Sequence, residues 1–173
     1  MEDRLDRMES LAAIQQLPVR YAQALDARDM DALVALFHPD VQVGRDRFGR
    51  DALKEYFTEL MAQFGASIHL VANHTVDFVD AHTASGVVYC RDELGEVDGD
   101  RWRLGAIQYW DDYVRIEGEW CFSRRRLHRW YLVDADERPG HGKGCNATPG
   151  FKDGLLPESY PSWGAFWASI DHG

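Results

Sequence analysis

Three side chains in the first seventy residues carry the groups that proton transfer needs. They are Tyr21 and Asp26 in LPVRYAQALDARD, and His69 in Ser-Ile-His-Leu. An imidazole with an ordinary pKa near 6.5 accepts a proton at neutral pH, and a carboxylate on its second ring nitrogen fixes the tautomer and stabilises the imidazolium that forms. A phenol can donate to a departing hydroxyl or hold a carbonyl oxygen. Asp26 and His69 therefore read as the orienting half of a triad without its nucleophile, since no serine or cysteine sits in a nucleophile motif. By spacing alone the same residues also suit plainer roles: a polar histidine on an open strand face, a helix-terminating aspartate and a core tyrosine.

The last long strand adds two cations. Arg125 and Arg129 share strand parity, so both can face an interior, where arginine keeps its charge and can stabilise an enolate or phenolate. Parity also separates the histidines. His69 shares a face with Val71, Asn73 and Thr75, and His74 with Leu70, Val76 and Phe78, so without a bulge only one histidine faces a cavity. Asn73, on the His69 side, is expected to hydrogen-bond a substrate, with His74 as the reserve candidate. No HExxH, CxxC or two-histidine-carboxylate spacing is present, so neither metal nor cofactor is expected. Gly140–Gly144 (GHGKG) lacks the GK[ST] ending of a phosphate loop and reads as a flexible loop.

The elements that must position these residues follow from periodicity. Apolar residues at 11, 14, 17, 21 and 25 predict a helix over about 10–26, with Pro18 expected to kink it near Ile14 or to open a new helix. A carboxylate at a helix C-terminus opposes the dipole, so Asp26 calls for a cationic or donating partner. Asp29 caps a second helix over about 30–37, which His38-Pro39-Asp40 ends. A short strand over 41–47 and a third helix to about Phe64 follow. From there the pattern alternates, predicting long antiparallel strands over 67–79, 83–94, 102–116 and 120–133. Strands of that length twist and curl, so the sheet should be strongly bent with helices filling its hollow.

One domain over 1–133 with a loop-rich tail over 134–173 suits a chain of 173 residues. The tail's aromatics, Tyr160, Trp163, Phe166 and Trp167, are expected to pack on the sheet or on a neighbouring subunit. Cys90, Cys121 and Cys145 fit no disulfide framework and read as reduced thiols. A net charge of −10 disfavours nucleic acid as a partner. No apolar run can span a bilayer or serve as a signal peptide, so a cytoplasmic location with no membrane partner is expected.

Three helices followed by a curled antiparallel sheet, opened by AAIQQLPVRYAQALDARDMDALVALFHPDV, resembles the SnoaL-like branch of the nuclear-transport-factor-2-like superfamily over about residues 8–133. The resemblance implies an α+β fold, a cone-shaped barrel with the N-terminal helices inside. It is strongest to the small lyases: scytalone dehydratase, bile-acid 7α-dehydratase and hexachlorocyclohexane dehydrochlorinase. They share a helix aspartate paired with a strand histidine, which implies Asp26 and His69 here. Tyr21 matches the tyrosine of the bile-acid dehydratase, and Arg129 its arginine. Arg125 matches the arginine of the dehydrochlorinase, whose lysine at the Tyr21 position argues against halide elimination here.

What the resemblance implies is a cofactor-independent lyase, with water as leaving group, acting on a small hydroxylated aromatic or polycyclic compound. It also implies a homo-oligomer, with a trimer favoured. Loss of formaldehyde from a lignin-derived aromatic dimer needs the same base and acid and is the variant reaction. A non-catalytic assembly subunit, like the small subunit of ring-hydroxylating oxygenases, is the rival class, and an isomerase with an aspartate base is disfavoured by the histidine match.

Overall fold

The computed structural model of the chain describes residues 2–140 and 154–170. Helix α1 spans Glu2–Asp26. It passes through Pro18 without a break, and its start lies eight residues before the expected one. The early turns have no apolar period to announce them. They are held instead by the sheet: Asp6 pairs with Arg115 at 2.8 Å, and the Arg7 guanidinium lies 4.3 Å from the centre of the Phe78 ring. Ile14, Leu17, Tyr21, Ala24 and Leu25 form the buried stripe of α1, at the three-and-four spacing of one helix face.

Helix α2, Met30–Ala35, is capped by the Asp29 carboxylate, which accepts from the Ala32 N–H. The expected strand over 41–47 is instead a pair of two-residue strands, β1 (Gln42–Val43) and β2 (Arg47–Phe48), paired antiparallel. Helix α3, Arg50–Met61, buries Leu53, Phe57 and Met61.

Four long strands follow: β3 (Phe64–Phe78), β4 (Thr83–Glu96), β5 (Trp102–Ile116) and β6 (Glu119–Asp134). They make one antiparallel meander, to which the short β7 (Gly154–Leu155) adds in parallel beside β6. This is an α+β fold, with the N-terminal helices laid on one face of the sheet. Val88, Cys90, Ile107, Tyr109, Tyr113 and Phe122 join the helix stripe in a single apolar core. The end of α2 is stitched to β6, where His38 N–H donates to the Phe122 carbonyl at 2.8 Å and Phe122 N–H to the Leu36 carbonyl at 2.9 Å.

On the opposite face of the sheet His128 stacks on Trp110, with ring centres 4.0 Å apart. Tyr160 lies against Trp110 and Trp130 and contacts Tyr89 and Gln108 through its hydroxyl. The chain then forms α4, Pro161–Ile170, where a loop was expected, with Trp163, Phe166 and Trp167 exposed. Cys90 and Cys121 are free and buried. Cys145 and the His141–Gly144 stretch lie outside the described residues. No helix among them is long and apolar enough to cross a membrane.

Candidate functional site

The last turn of α1 and the start of β3 meet at Asp26. Its Oδ1 lies 2.7 Å from His69 Nδ1 and accepts from the Ser67 hydroxyl at 2.8 Å, and its Oδ2 accepts from the His69 backbone N–H at 2.8 Å. Burial pushes the Asp26 carboxyl up, but the bonds from the His69 ring, the His69 N–H and Ser67 outweigh it, so the carboxyl stands below its ordinary value. An ionised carboxylate on Nδ1 favours the tautomer that bears its proton there and leaves Nε2 as the proton-accepting atom. Among the described residues no hydrogen bond occupies His69 Nε2.

The partner that the position of Asp26 calls for is His69, and Arg28, two residues beyond the helix end, stands one hydroxyl away. Its Nη1 donates to the Leu25 carbonyl at 2.8 Å and to Ser67 Oγ at 2.7 Å, and its Nη2 to the Phe64 carbonyl at 2.9 Å. Neither Arg28 nor Ser67 had a signal of its own in the sequence.

A second carboxylate stands near the imidazole. Asp92 on β4 pairs directly with His69 across the antiparallel ladder and is buried, with Oδ1 lacking any hydrogen bond. Burial raises its pKa, and the nearby charges of His69 and Arg129 oppose the rise. Room for it comes from the next strand: Gly105 is its β5 neighbour, and a Cβ added there would overlap the Asp92 carboxyl. The sequence carried a signal for Asp92, because it shares strand parity with the apolar residues Val88, Cys90 and Leu94.

The condition on the parity reading of the histidines, that β3 carry no bulge, is not met. Val71 pairs with Cys90 but His74 with Val88, so β3 carries one residue more than β4 across this interval. That β-bulge reverses the alternation and turns both His69 and His74 towards the helices. It also corrects the expectation for Asn73, which lies in the bulge with an exposed side chain instead of facing the interior beside His69.

His74 is engaged by the protein itself. Its Nε2 lies 3.0 Å from the Tyr113 hydroxyl, which donates to Asp111 Oδ2 at 2.9 Å, and Asp111 in turn takes two bonds from Arg125 at 2.9 and 2.7 Å. Because Tyr113 commits its proton to Asp111, its oxygen accepts from His74, leaving Nδ1 as a buried lone pair without a partner. Burial lowers the His74 pKa, with Arg125 acting in the same direction and Asp111 against it.

Arg125 is enclosed by aromatic rings, its guanidinium carbon 4.3 Å from the Tyr21 ring centre, 4.0 Å from that of Tyr109 and 4.2 Å from that of Phe122. The Asp111 pair and these three faces account for its burial, although Nη1 has no hydrogen bond. Tyr21 packs edge-on against Phe37, Phe57, Tyr109 and Phe122. Burial raises its pKa well above the ordinary value, only partly offset by Arg125, so the phenol holds its proton. Cys90, in the same core, is pushed up to about 12 by burial and is a thiol at neutral pH. Arg129 is buried near Asp92. No group of three or more His, Cys, Asp or Glu among the described residues could hold a metal ion.

The arrangement is thus a hydrogen-bonded imidazole–carboxylate pair, a buried second carboxyl, a buried phenol and two buried arginines between the N-terminal helices and the sheet. The SnoaL-like domain matches residues 6–126, from α1 into β6. The chain belongs to the SnoaL-like family. An uncharacterized protein of Mycobacterium tuberculosis is 32% identical to it over 127 residues, covering 69% of this chain and 82% of the relative. The γ-hexachlorocyclohexane dehydrochlorinase of Sphingobium indicum is 31% identical over 136 residues, 75% of this chain and 86% of that enzyme.

Solved structures agree with the SnoaL-like assignment. A candidate scytalone dehydratase from Novosphingobium aromaticivorans superposes with a TM-score of 0.69 at 26% identity, over 83% of this chain and 98% of that one. A hexachlorocyclohexane dehydrochlorinase from Novosphingobium barchaimii gives 0.68 at 26% identity, over 77% and 94%. Tyr21, Asp26, His69, Asp92 and Arg125 fall inside the matched SnoaL-like stretch, and Arg129 lies just beyond it.

Proposed function

We propose that this SnoaL-like protein is a cofactor-independent lyase that eliminates water from a small hydroxylated aromatic or polycyclic compound. The observation that carries the reading is the 2.7 Å contact between His69 Nδ1 and Asp26, made by a carboxylate whose two oxygens are both committed to holding that imidazole and its strand. Such a pair supplies a base and nothing else, which suits abstraction of a proton from carbon and gives no covalent intermediate.

In the reaction, His69 Nε2 takes the proton from the carbon next to the one bearing the hydroxyl. The C–H electron pair becomes the new double bond, the C–O bond breaks, and the oxygen leaves as water once it gains a proton. Tyr21 and Asp92 are among the buried groups that retain a proton more readily than their ordinary pKa values imply, and the Tyr21 phenol is assigned the donor role. Arg129 and Arg125 offset the negative charge that builds up as the proton departs. Aromatic side chains around Tyr21 favour an apolar substrate body.

The test is turnover of hydroxylated aromatics and steroid alcohols, followed by absorbance of the new double bond, with His69→Gln and Asp26→Asn. General-base catalysis contributes about 100- to 10,000-fold, so each variant should lose activity on that scale. Unchanged rates in both would remove the pair from the mechanism. Co-purification with a larger metalloprotein subunit, and no turnover by the chain alone, would favour an assembly subunit.

A further inference from the structure

Arg28 has a backbone φ of 60°, in the left-handed region. It sits where α1 unwinds, with Asp29 N–H bonded to the Ala24 carbonyl at 2.9 Å and Arg28 N–H to the Leu25 carbonyl at 3.1 Å. Crossed bonds of this kind end many helices, and glycine is the usual residue at the left-handed position because any Cβ there is strained. A role confined to ending the helix would be filled with less strain by glycine. What glycine lacks is the guanidinium that reaches Leu25, Phe64 and Ser67.

The direction of each bond along this path is fixed by chemistry. Arginine only donates, so Ser67 Oγ accepts from Nη1 at 2.7 Å, and its own proton goes to Asp26 Oδ1 at 2.8 Å. A direct arginine–aspartate pair would compete with the imidazole for the carboxylate. Interposing a hydroxyl keeps the cation close while Oδ1 remains bonded to His69 Nδ1 at 2.7 Å. The contact with the Phe64 carbonyl also pins the end of α1 to the start of β3, which is the joint that sets the Asp26–His69 distance.

We propose that Arg28 is a positioning residue for the Asp26–His69 pair, acting through the Ser67 hydroxyl. The proposal rests on the base assignment made above and goes beyond it by naming what aims the carboxylate. The other titratable and charged groups near the pair, Asp92 and Cys90 on β4, and Arg129 on β6 beside Asp92, are the same in every variant used to test it.

The experiment is a carbon-detected NMR titration of the Asp26 carboxyl in the full chain, alongside thermal melting. The proteins are wild type, Arg28→Gly, Arg28→Lys, Ser67→Ala and the Arg28→Gly/Ser67→Ala double variant. Loss of one hydroxyl bond to a carboxylate should weaken its acidity about ten-fold or more. Ser67→Ala and Arg28→Gly should both raise the Asp26 titration midpoint, Arg28→Lys should restore part of the change, and the double variant should move no further than Ser67→Ala. An unmoved midpoint in Arg28→Gly, or shifts that add fully in the double variant, would overturn the proposal. Should Arg28→Gly not fold, the lysine variant and Ser67→Ala decide it by whether Asp26 titrates as in wild type. The titration needs no substrate, so its failure is separable from a failure of the lyase reading, which turnover of the His69 and Asp26 variants decides.

Discussion

His69 and His74 lie five residues apart on one strand and nevertheless face the same side of the sheet, because the bulge between Val71 and His74 reverses the alternation. The two imidazoles differ in what holds them. His69 is bonded to a carboxylate and His74 to a phenol that is itself bonded to a carboxylate.

His74 should make stability depend on pH in the mildly acidic range. Its folded-state pKa is lowered from 6.5, chiefly by burial, so below that pH the unfolded chain takes up the proton more readily than the folded one. The His74 contribution is complete above about 6.5 and declines as pH falls towards the folded-state pKa. Melting curves between pH 7.5 and 5 should show a shallower decline for His74→Phe than for wild type, and equal slopes would contradict the burial effect.

Asp92 should behave in the opposite sense. Its folded-state pKa is raised, first by burial, so its favourable contribution is present below the ordinary carboxyl value and is lost as pH rises through the folded-state pKa. Asp92→Asn keeps the shape and removes the charge. It should melt a few degrees higher than wild type at pH 8, with the gain shrinking towards pH 4. A lower melting point at pH 8 would show that His69 and Arg129 more than compensate the buried charge.

Gly105 and Asp92 should be coupled. A Cβ at Gly105 overlaps the Asp92 carboxyl, so Gly105→Ala alone should destabilise by about 1–3 kcal/mol, the usual cost of overpacking. In an Asp92→Ala background the same change should cost much less. A double-mutant cycle by urea denaturation measures this, and purely additive changes would show that the two positions are independent.

Asp111 and Arg125 form a pair whose side chains are 0% and 6% exposed. Removing one member leaves a buried charge unmatched, and Asp111→Asn should cost about 3–5 kcal/mol in denaturant titrations. Asp111→Leu combined with Arg125→Met removes both charges and should recover part of that loss. A double variant as unstable as the single one would point to the bond from Tyr113 to Asp111 as the dominant contribution.

The four long strands were readable because alternation and turn residues agree along 64–134, and their observed ends fall within three residues of the expected ones. Asp26 stood out as a carboxylate on the wrong end of a helix, and His69 as the histidine able to meet it. The early turns of α1 were not readable, since a run of charges carries no apolar period and its anchor, Arg115, is 109 residues away. Nor was the bulge: Ala72 and Asn73 include no glycine to mark it, and without it Asn73 is assigned to the wrong face. The helical conformation of Pro161–Ile170 was hidden by its glycine, proline and aromatic content, which reads equally as loop.

The Asp26–His69 contact joins residues 43 apart, and Ser67 to Arg28 spans 39. Nothing local preassembles this cluster in a growing or refolding chain, so the proton-transfer pair comes into being only when β3 docks on α1. Contacts of such long range slow folding, and they also make the chain divisible. A cut in the turn between Met61 and Phe64 would place the carboxylate on one fragment and the imidazole on the other, so that recovered turnover on mixing would report directly that the two pieces had reassembled.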